Sequence, residues 1–117
     1  MPSAIHVVDS AFQELIERDA LIEKVVSDFQ FTEGPVFSRI GFLRFSDLPS
    51  ERILQFTLRL GGRGPTDGEL SVFRQPSNRA NGLTFDHQGR LLACEAGPGR
   101  VTRTEKDGRI TGAGGPL

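Results

Sequence analysis

One stretch of this chain occurs twice, and the distance between the copies limits what the chain can fold into. Asn78 to Glu95 repeats an earlier segment at an offset of 48 residues: Gly82 stands on Gly34, Phe85 on Phe37, Gly89 on Gly41, Leu91 on Leu43, and acidic Glu95 on acidic Asp47. Beyond the carboxylates, Arg100-Val101 still falls on Arg52-Ile53. The unit is therefore a polar residue, a glycine, a short apolar strand, a tight turn ending in glycine, a second apolar strand and a carboxylate. Periods of roughly 40 to 50 residues built from short strands are produced by β-propeller blades, each about four antiparallel strands around a central channel. The expected fold is all-β, about two and a half such blades, with a short N-terminal helix.

In chain order, residues 1–19 read as a helical lead. Asp9 or Ser10 is placed to cap a helix whose apolar positions Phe12, Leu15 and Ile16 have helical spacing, ending near Arg18-Asp19. Residues 20–30 contain a strand pattern, Leu21 to Val26, of the kind that closes a propeller ring by joining the last blade. The first blade spans 31–77. Pro35 has no N–H to give a ladder and belongs on an unpaired position, which puts Glu33 at a strand start. Ser38 to Gly41 makes a hairpin, Phe42 to Phe45 a second strand, Arg52 to Leu58 a third and Glu69 to Phe73 a fourth. The glycine-rich loop 61–68 lacks the Lys-Ser/Thr and the following helix of a phosphate cradle and reads as a plain loop. The second blade spans 78–117 and is expected to be incomplete. Its turn Asp86-His87-Gln88-Gly89 has Asp first and Gly last, and leaves His87 solvent-exposed at a hairpin tip. Its third strand is Arg100 to Thr104, and its fourth begins at Arg109-Ile110-Thr111 with the connecting loop about eight residues shorter than in the first copy. From Gly112 on, the run of glycines is expected not to pair, so the chain reads as a truncated product.

Composition excludes several classes. The balance of 14 basic against 15 acidic side chains favours neither a nucleic-acid backbone nor a membrane surface, so no nucleic-acid or membrane partner is expected. The start lacks a basic region followed by a long apolar run, so neither a signal peptide nor a span is expected. The single cysteine, Cys94, precludes an internal disulfide, fits a reducing, cytoplasmic compartment and reads as a core thiol in mid-strand. Neither His6 nor His87 has ligand spacing.

Several motifs then concur in order: Phe31-Thr32-Glu33-Gly34-Pro35-Val36-Phe37, Phe45-Ser46-Asp47-Leu48-Pro49-Ser50, Val72-Phe73-Arg74-Gln75-Pro76, Ala80-Asn81-Gly82-Leu83-Thr84-Phe85-Asp86, and Arg100 through Ile110. Over about residues 20 to 111 the chain resembles the gluconolactonase branch of the SMP-30/gluconolactonase/LRE family. The resemblance implies a six-bladed propeller with one divalent cation in its channel, calcium first and zinc or magnesium as alternatives, hydrolysing sugar lactones to aldonic acids. It places Glu33 on the family's metal-ligating glutamate, and a carboxylate at the inner end of a first strand suits a hard cation. Arg79 and Asn81 fall in its substrate-contacting Arg-x-Asn region, where they would donate to the lactone oxygens and stabilise charge developing on the carbonyl. Glu95 matches a further channel-facing, substrate-binding glutamate, and its repeat partner Asp47 reads equally well as a turn cap.

The family's other metal ligands, an Asn and an Asp, belong to later blades, and that Asp is also the general base. No catalytic base is therefore assigned within this chain. Two functional classes stand: a metal-dependent lactone hydrolase, here as an N-terminal part inactive alone, with a small sugar lactone as ligand; or a non-catalytic propeller-repeat module for binding. The bare flank of an open array is expected to make the product self-associate through its sheet edges.

Overall fold

The computed structural model describes residues 5–113, and nearly all of its regular structure is two antiparallel four-stranded sheets in simple up-and-down order. Blade 1 is β1 (Thr32–Ser38), β2 (Phe42–Asp47), β3 (Arg52–Leu58) and β4 (Gly68–Arg74). Blade 2 is β5 (Ala80–Phe85), β6 (Leu91–Glu95), β7 (Arg100–Thr104) and β8 (Ile110–Gly112).

The 48-residue offset is a property of the ladders as well as of the letters. Thr32 pairs with Asp47 as Ala80 pairs with Glu95, Val36 with Arg44 as Thr84 with Leu92, and Ser46 with Ile53 as Cys94 with Val101. Both first ladders break at the same place, between Glu33 and Val36 and between Ala80 and Leu83. In blade 1 this break accommodates Pro35. For the last ladder the offset drops to 40, since Gln55 pairs with Ser71 and Arg103 with Thr111. The eight-residue shortening of the loop is thus observed.

Turns form where their chemistry dictates. Asp86 Oδ1 accepts from the backbone N–H of Gln88 and Arg90, and Gly89, at φ +79°, closes the hairpin with exposed His87 at its tip.

The blades pack face to face. Ile53, Ala80, Leu91 and Ala93 form the shared core, flanked by Val36, Phe73, Leu83 and Phe85. At this interface the Arg44 guanidinium lies 3.6 Å from the ring centroid of Phe73 and 4.6 Å from that of Phe42, both on its own blade, and 5.6 Å from that of Phe85 on blade 2, while its Nε donates to Gln55 at 3.0 Å. Burial without a carboxylate lowers its pKa to about 10. At the inner strands the approach is closest. A Cβ on Gly34, held at φ +65°, would collide with the carbonyl oxygen of Asn81.

Four expectations are corrected. The N-terminal helix is a single 3₁₀ turn, Ser10–Glu14, capped by Asp9, whose carboxylate accepts from Ala11 N–H. None of its residues is buried, and Leu15 is 78% exposed; without an apolar face to cover, so short a helix does not extend. Residues 20–30 form no strand. They run as a strap over the face of blade 1 opposite blade 2, with the Phe29 ring edge-on to Phe45 at 5.1 Å. The fourth strand of blade 2 continues to Gly112, which pairs with Thr102, because pairing uses backbone groups that glycine retains; residues 114–117 lie outside the described part. Both sheets therefore have four strands, with β8 of three residues where β4 has seven. Finally, Cys94 is exposed. The alternation of β6 turns it away from buried Leu91, Ala93 and Glu95.

Candidate functional site

Glu33, Arg79 and Asn81 all lie at the starts of the innermost strands, β1 and β5, or just before them. Sliding by 48 sets Glu33 on Asn81, so the two occupy one position in successive blades. This signal was present in the repeat, and only the comparison of ladders makes it plain. The two positions are joined directly: Gly34 abuts the Asn81 carbonyl, and the Ser46 hydroxyl donates to that oxygen at 3.4 Å. The Asn81 side-chain oxygen accepts from Gly82 N–H at 2.6 Å, which leaves its amide NH₂ as the outward donor.

Arg79 is presented by an unusual turn. Asn78 and Arg79 are both left-handed, at φ +56° and +57°. Asparagine tolerates this region, and arginine does so at a cost of about 1 kcal/mol or more. The turn is held from outside. Ala96 N–H donates to the Arg79 carbonyl and Gly97 N–H to the Asn78 carbonyl, both at 3.1 Å, and Asn78 Nδ2 donates to Glu95 at 3.2 Å. The Arg79 side chain is exposed and lines a cleft of about 540 Å³ with Phe31, Leu48, Pro49 and Glu51. Glu33 is exposed as well, but opens into a different groove, about 410 Å³, between the strap and β1 and β2. The backbone thus brings these residues to neighbouring positions, and their side chains do not share one cavity.

Glu95 is placed otherwise. It is 1% exposed, with both oxygens engaged: Oε2 accepts from Thr102 Oγ1 at 2.6 Å and Arg74 Nη2 at 2.9 Å, Oε1 from Arg100 Nε at 3.0 Å and from Asn78. Burial works against its charge, but these four donors outweigh it and bring the pKa down to about 2. Its counterpart Asp47, also 1% exposed, accepts from the backbone N–H of Phe31 and Gln30 and from the Ser50 hydroxyl, with Arg52 at 3.8 Å. The pattern repeats: Gln30 and Asn78, like Arg52 and Arg100, are 48 apart. Each carboxylate anchors the chain entering its own blade, which is the capping role weighed for Asp47.

As a cation site the described residues fall short. Among them no three His, Cys, Asp or Glu side chains are grouped to hold a metal. Glu33 offers one carboxylate, where calcium takes six to eight oxygens.

Stacked, simply wound four-stranded sheets meeting along their first strands define a portion of a β-propeller. The likeness of the chain to gluconolactonases is found in sequence and in fold. It is 28% identical over 98 residues to the gluconolactonase of Zymomonas mobilis, covering 72% of this chain and 25% of that protein. It superposes on an X-ray structure provisionally named a gluconolactonase with a TM-score of 0.61 and 29% identity, over 81% of this chain and 32% of the other. The gluconolactonase of Xanthomonas campestris gives 0.59 and 30%, over 76% and 29%. Virginiamycin B lyase of Staphylococcus aureus, at 0.52 and 18% over 68% and 25%, shares the fold alone. No family model matches the chain. The chain spans about a quarter of the curated relative's length and about a third of the first solved structure. Among the described residues no helix is long and apolar enough to cross a membrane.

Proposed function

We propose that this chain is part of a lactone hydrolase of the gluconolactonase kind, acting on small sugar lactones such as glucono-1,5-lactone. The observation that carries the reading is the placement of Glu33 and Asn81 at one repeat position of adjacent inner strands, with Arg79 held two residues away by a doubly pinned left-handed turn. Backbone strain that the surroundings over-determine is characteristic of functional positions. Arg79 and the Asn81 amide supply two kinds of N–H donor for the oxygens of a lactone, whose carbonyl gains negative charge as water attacks. The pinned turn fixes the backbone from which the exposed Arg79 side chain projects.

In this reading Glu33 is one ligand of a divalent cation, calcium foremost, with the remaining ligands on further blades of the kind the longer relatives contain. Such an ion, when bound, polarises the carbonyl or the attacking water. Because one carboxylate cannot assemble that site, the 117-residue chain is expected to be inactive alone.

Joining this chain to the later blades of the Zymomonas mobilis gluconolactonase tests the reading. The chimera should hydrolyse glucono-1,5-lactone, lose activity with Glu33→Gln, and lose much of it with Arg79→Ala. A chimera that unfolds cooperatively yet is inert would overturn the assignment. Calorimetric titration of the unextended chain with calcium addresses its incompleteness separately: saturable micromolar binding that disappears in Glu33→Gln would show a complete site.

A further inference from the structure

Asn78 and Asn81 are the asparagines of this chain, and their surroundings differ. Asn78 precedes Arg79, and its Nδ2 donates to the buried carboxylate of Glu95 at 3.2 Å. Asn81 precedes Gly82, whose backbone N–H donates to the Asn81 side-chain oxygen at 2.6 Å. The Gly82 nitrogen therefore rests against the carboxamide carbon, Cγ, of the residue before it.

Two features of β5 keep this arrangement open. Asn81 and Gly82 fall where the ladder between β5 and β6 breaks, between Ala80 and Leu83, so the Gly82 nitrogen meets its neighbour's side chain. Gly82 also has no Cβ to hold that nitrogen away, and packing does not demand a glycine there. Its φ is not left-handed, and a Cβ on it would make ordinary contact with Cys94, 3.7 Å from Sγ. The pair lies where the two blades of this chain meet, since Gly34 abuts the Asn81 carbonyl and the Ser46 hydroxyl donates to it at 3.4 Å.

We propose that Asn81-Gly82 is a self-modification site, at which the folded chain converts Asn81 to aspartate and isoaspartate. The Gly82 nitrogen bonds to Asn81 Cγ and closes a five-membered succinimide ring. Its proton passes to the departing Nδ2, the Cγ–Nδ2 bond breaks, and ammonia leaves. One water then opens the ring at either carbonyl, giving aspartate or, with the main chain rerouted through Cβ and Cγ, isoaspartate. Nothing is oxidised or reduced, and water is the co-reactant. The fold contributes by holding nucleophile and carbon in contact, the advantage that proximity gives any intramolecular attack. Isoaspartate lengthens the backbone by one methylene beside Gly34, where close packing leaves no room for it. The modification stands apart from the lactone reading; within that reading it replaces the Asn81 amide donor by a carboxylate, which repels the charge developing on the carbonyl.

Ageing the 117-residue chain in mildly alkaline buffer, followed by tryptic digestion and mass spectrometry, tests it. Cleavage after Arg74, Arg79 and Arg90 releases the asparagines on separate peptides, Gln75 to Arg79 and Ala80 to Arg90. The second peptide should gain the mass of an amide-to-acid conversion and separate into aspartate and isoaspartate forms, while the first stays unchanged. Conversion in the folded chain should run at least as fast as in concentrated urea, where no geometry is held. Gly82→Ala should slow it about tenfold or more, because a Cβ on the attacking residue hinders the close approach on which the rate rests. A folded chain that converts more slowly than the unfolded one would overturn the proposal, and this comparison needs no variant. So would an Asn78 peptide that converts as fast as that of Asn81, or a rate unchanged in Gly82→Ala.

Discussion

Replacing Glu95 by glutamine is expected to be among the most damaging single changes in the chain, and its size follows from what the change strands. The Arg74 side chain is 9% exposed and that of Glu95 0%, and among the described residues Arg74 Nε and Nη1 have no hydrogen-bond partner. Glu95 is therefore the one carboxylate compensating a nearly buried cation. Removing one member of a buried ion pair costs about 3–5 kcal/mol, because the other is left desolvated and unpaired. Domains of ordinary size are stable by only about 5–15 kcal/mol, so Glu95→Gln should remove about a fifth of the total or more. Urea unfolding followed by circular dichroism, on material kept dilute enough to be monomeric, would read this as a lower midpoint with little change in slope. The double variant Arg74→Met/Glu95→Gln removes the stranded cation and should recover about half the loss. In contrast, Asp47→Asn should cost only about 1–2 kcal/mol: an amide oxygen still accepts from Phe31 N–H, and Arg52, 31% exposed, keeps its access to water. A Glu95→Gln variant within about 1 kcal/mol of wild type would refute the reasoning.

The same carboxylate sets an acid limit. Its folded pKa, about 2, lies below the ordinary 4.5, so its contribution is complete above about pH 5 and is lost as the pH falls from there toward 2, about 3 kcal/mol in all. Unfolding midpoints measured between pH 6 and pH 2 should show that decline, and a flat profile would contradict it. Gly34→Ala should separate the blades and cost more than about 3 kcal/mol. Gly41→Ala, also left-handed but with open space around it, should cost only about 1–2 kcal/mol for the backbone strain; equal losses in the two variants would mean the inner strands do not meet at Gly34. Arg44→Met should hold stability within about 1 kcal/mol, since a flexible apolar side chain keeps contact with Phe42 and Phe73 and removes a desolvated charge. Arg44→Ala should lose about 2 kcal/mol through the packing it deletes, and thermal melts of the pair would distinguish these outcomes.

What could be read in the sequence was local or repeated. Hairpins announced themselves by Gly41 and by Asp86 with Gly89, strand faces by alternation, and the shortened loop by matching Asp107-Gly108 to Asp67-Gly68. The blade architecture followed because a repeat averages over local ambiguity. Pairings between distant residues stayed hidden. Glu95 and Arg74 are 21 positions apart and belong to different sheets, and nothing in either neighbourhood marks the other as a partner. The left-handed turn at Arg79 was equally unreadable, because arginine has no preference for it and only the bonds from Ala96 and Gly97 impose it. The fate of residues 20–30 depended on which surface was free to cover, as did the exposure of Cys94. Apolar pairs such as Leu21-Ile22 and Val25-Val26 suit a strand and a packed strap equally well.

The hold of Glu95 on Arg74 means that the physical unit of this molecule is out of phase with its textual repeat. A cut between Ser77 and Asn78, where the letters begin again, would leave Arg74 on one piece and its counter-ion on the other. A piece beginning at Arg74 would keep the ion pair, the Asn78 bond and the turn carrying Arg79 together. Recombination or domain grafting among such arrays should therefore tolerate junctions upstream of Arg74 far better than junctions at the visible start of the repeat. In hydrogen exchange, the amides of Ala96 and Gly97, which donate to the Arg79 and Asn78 carbonyls, should likewise open together with the second sheet.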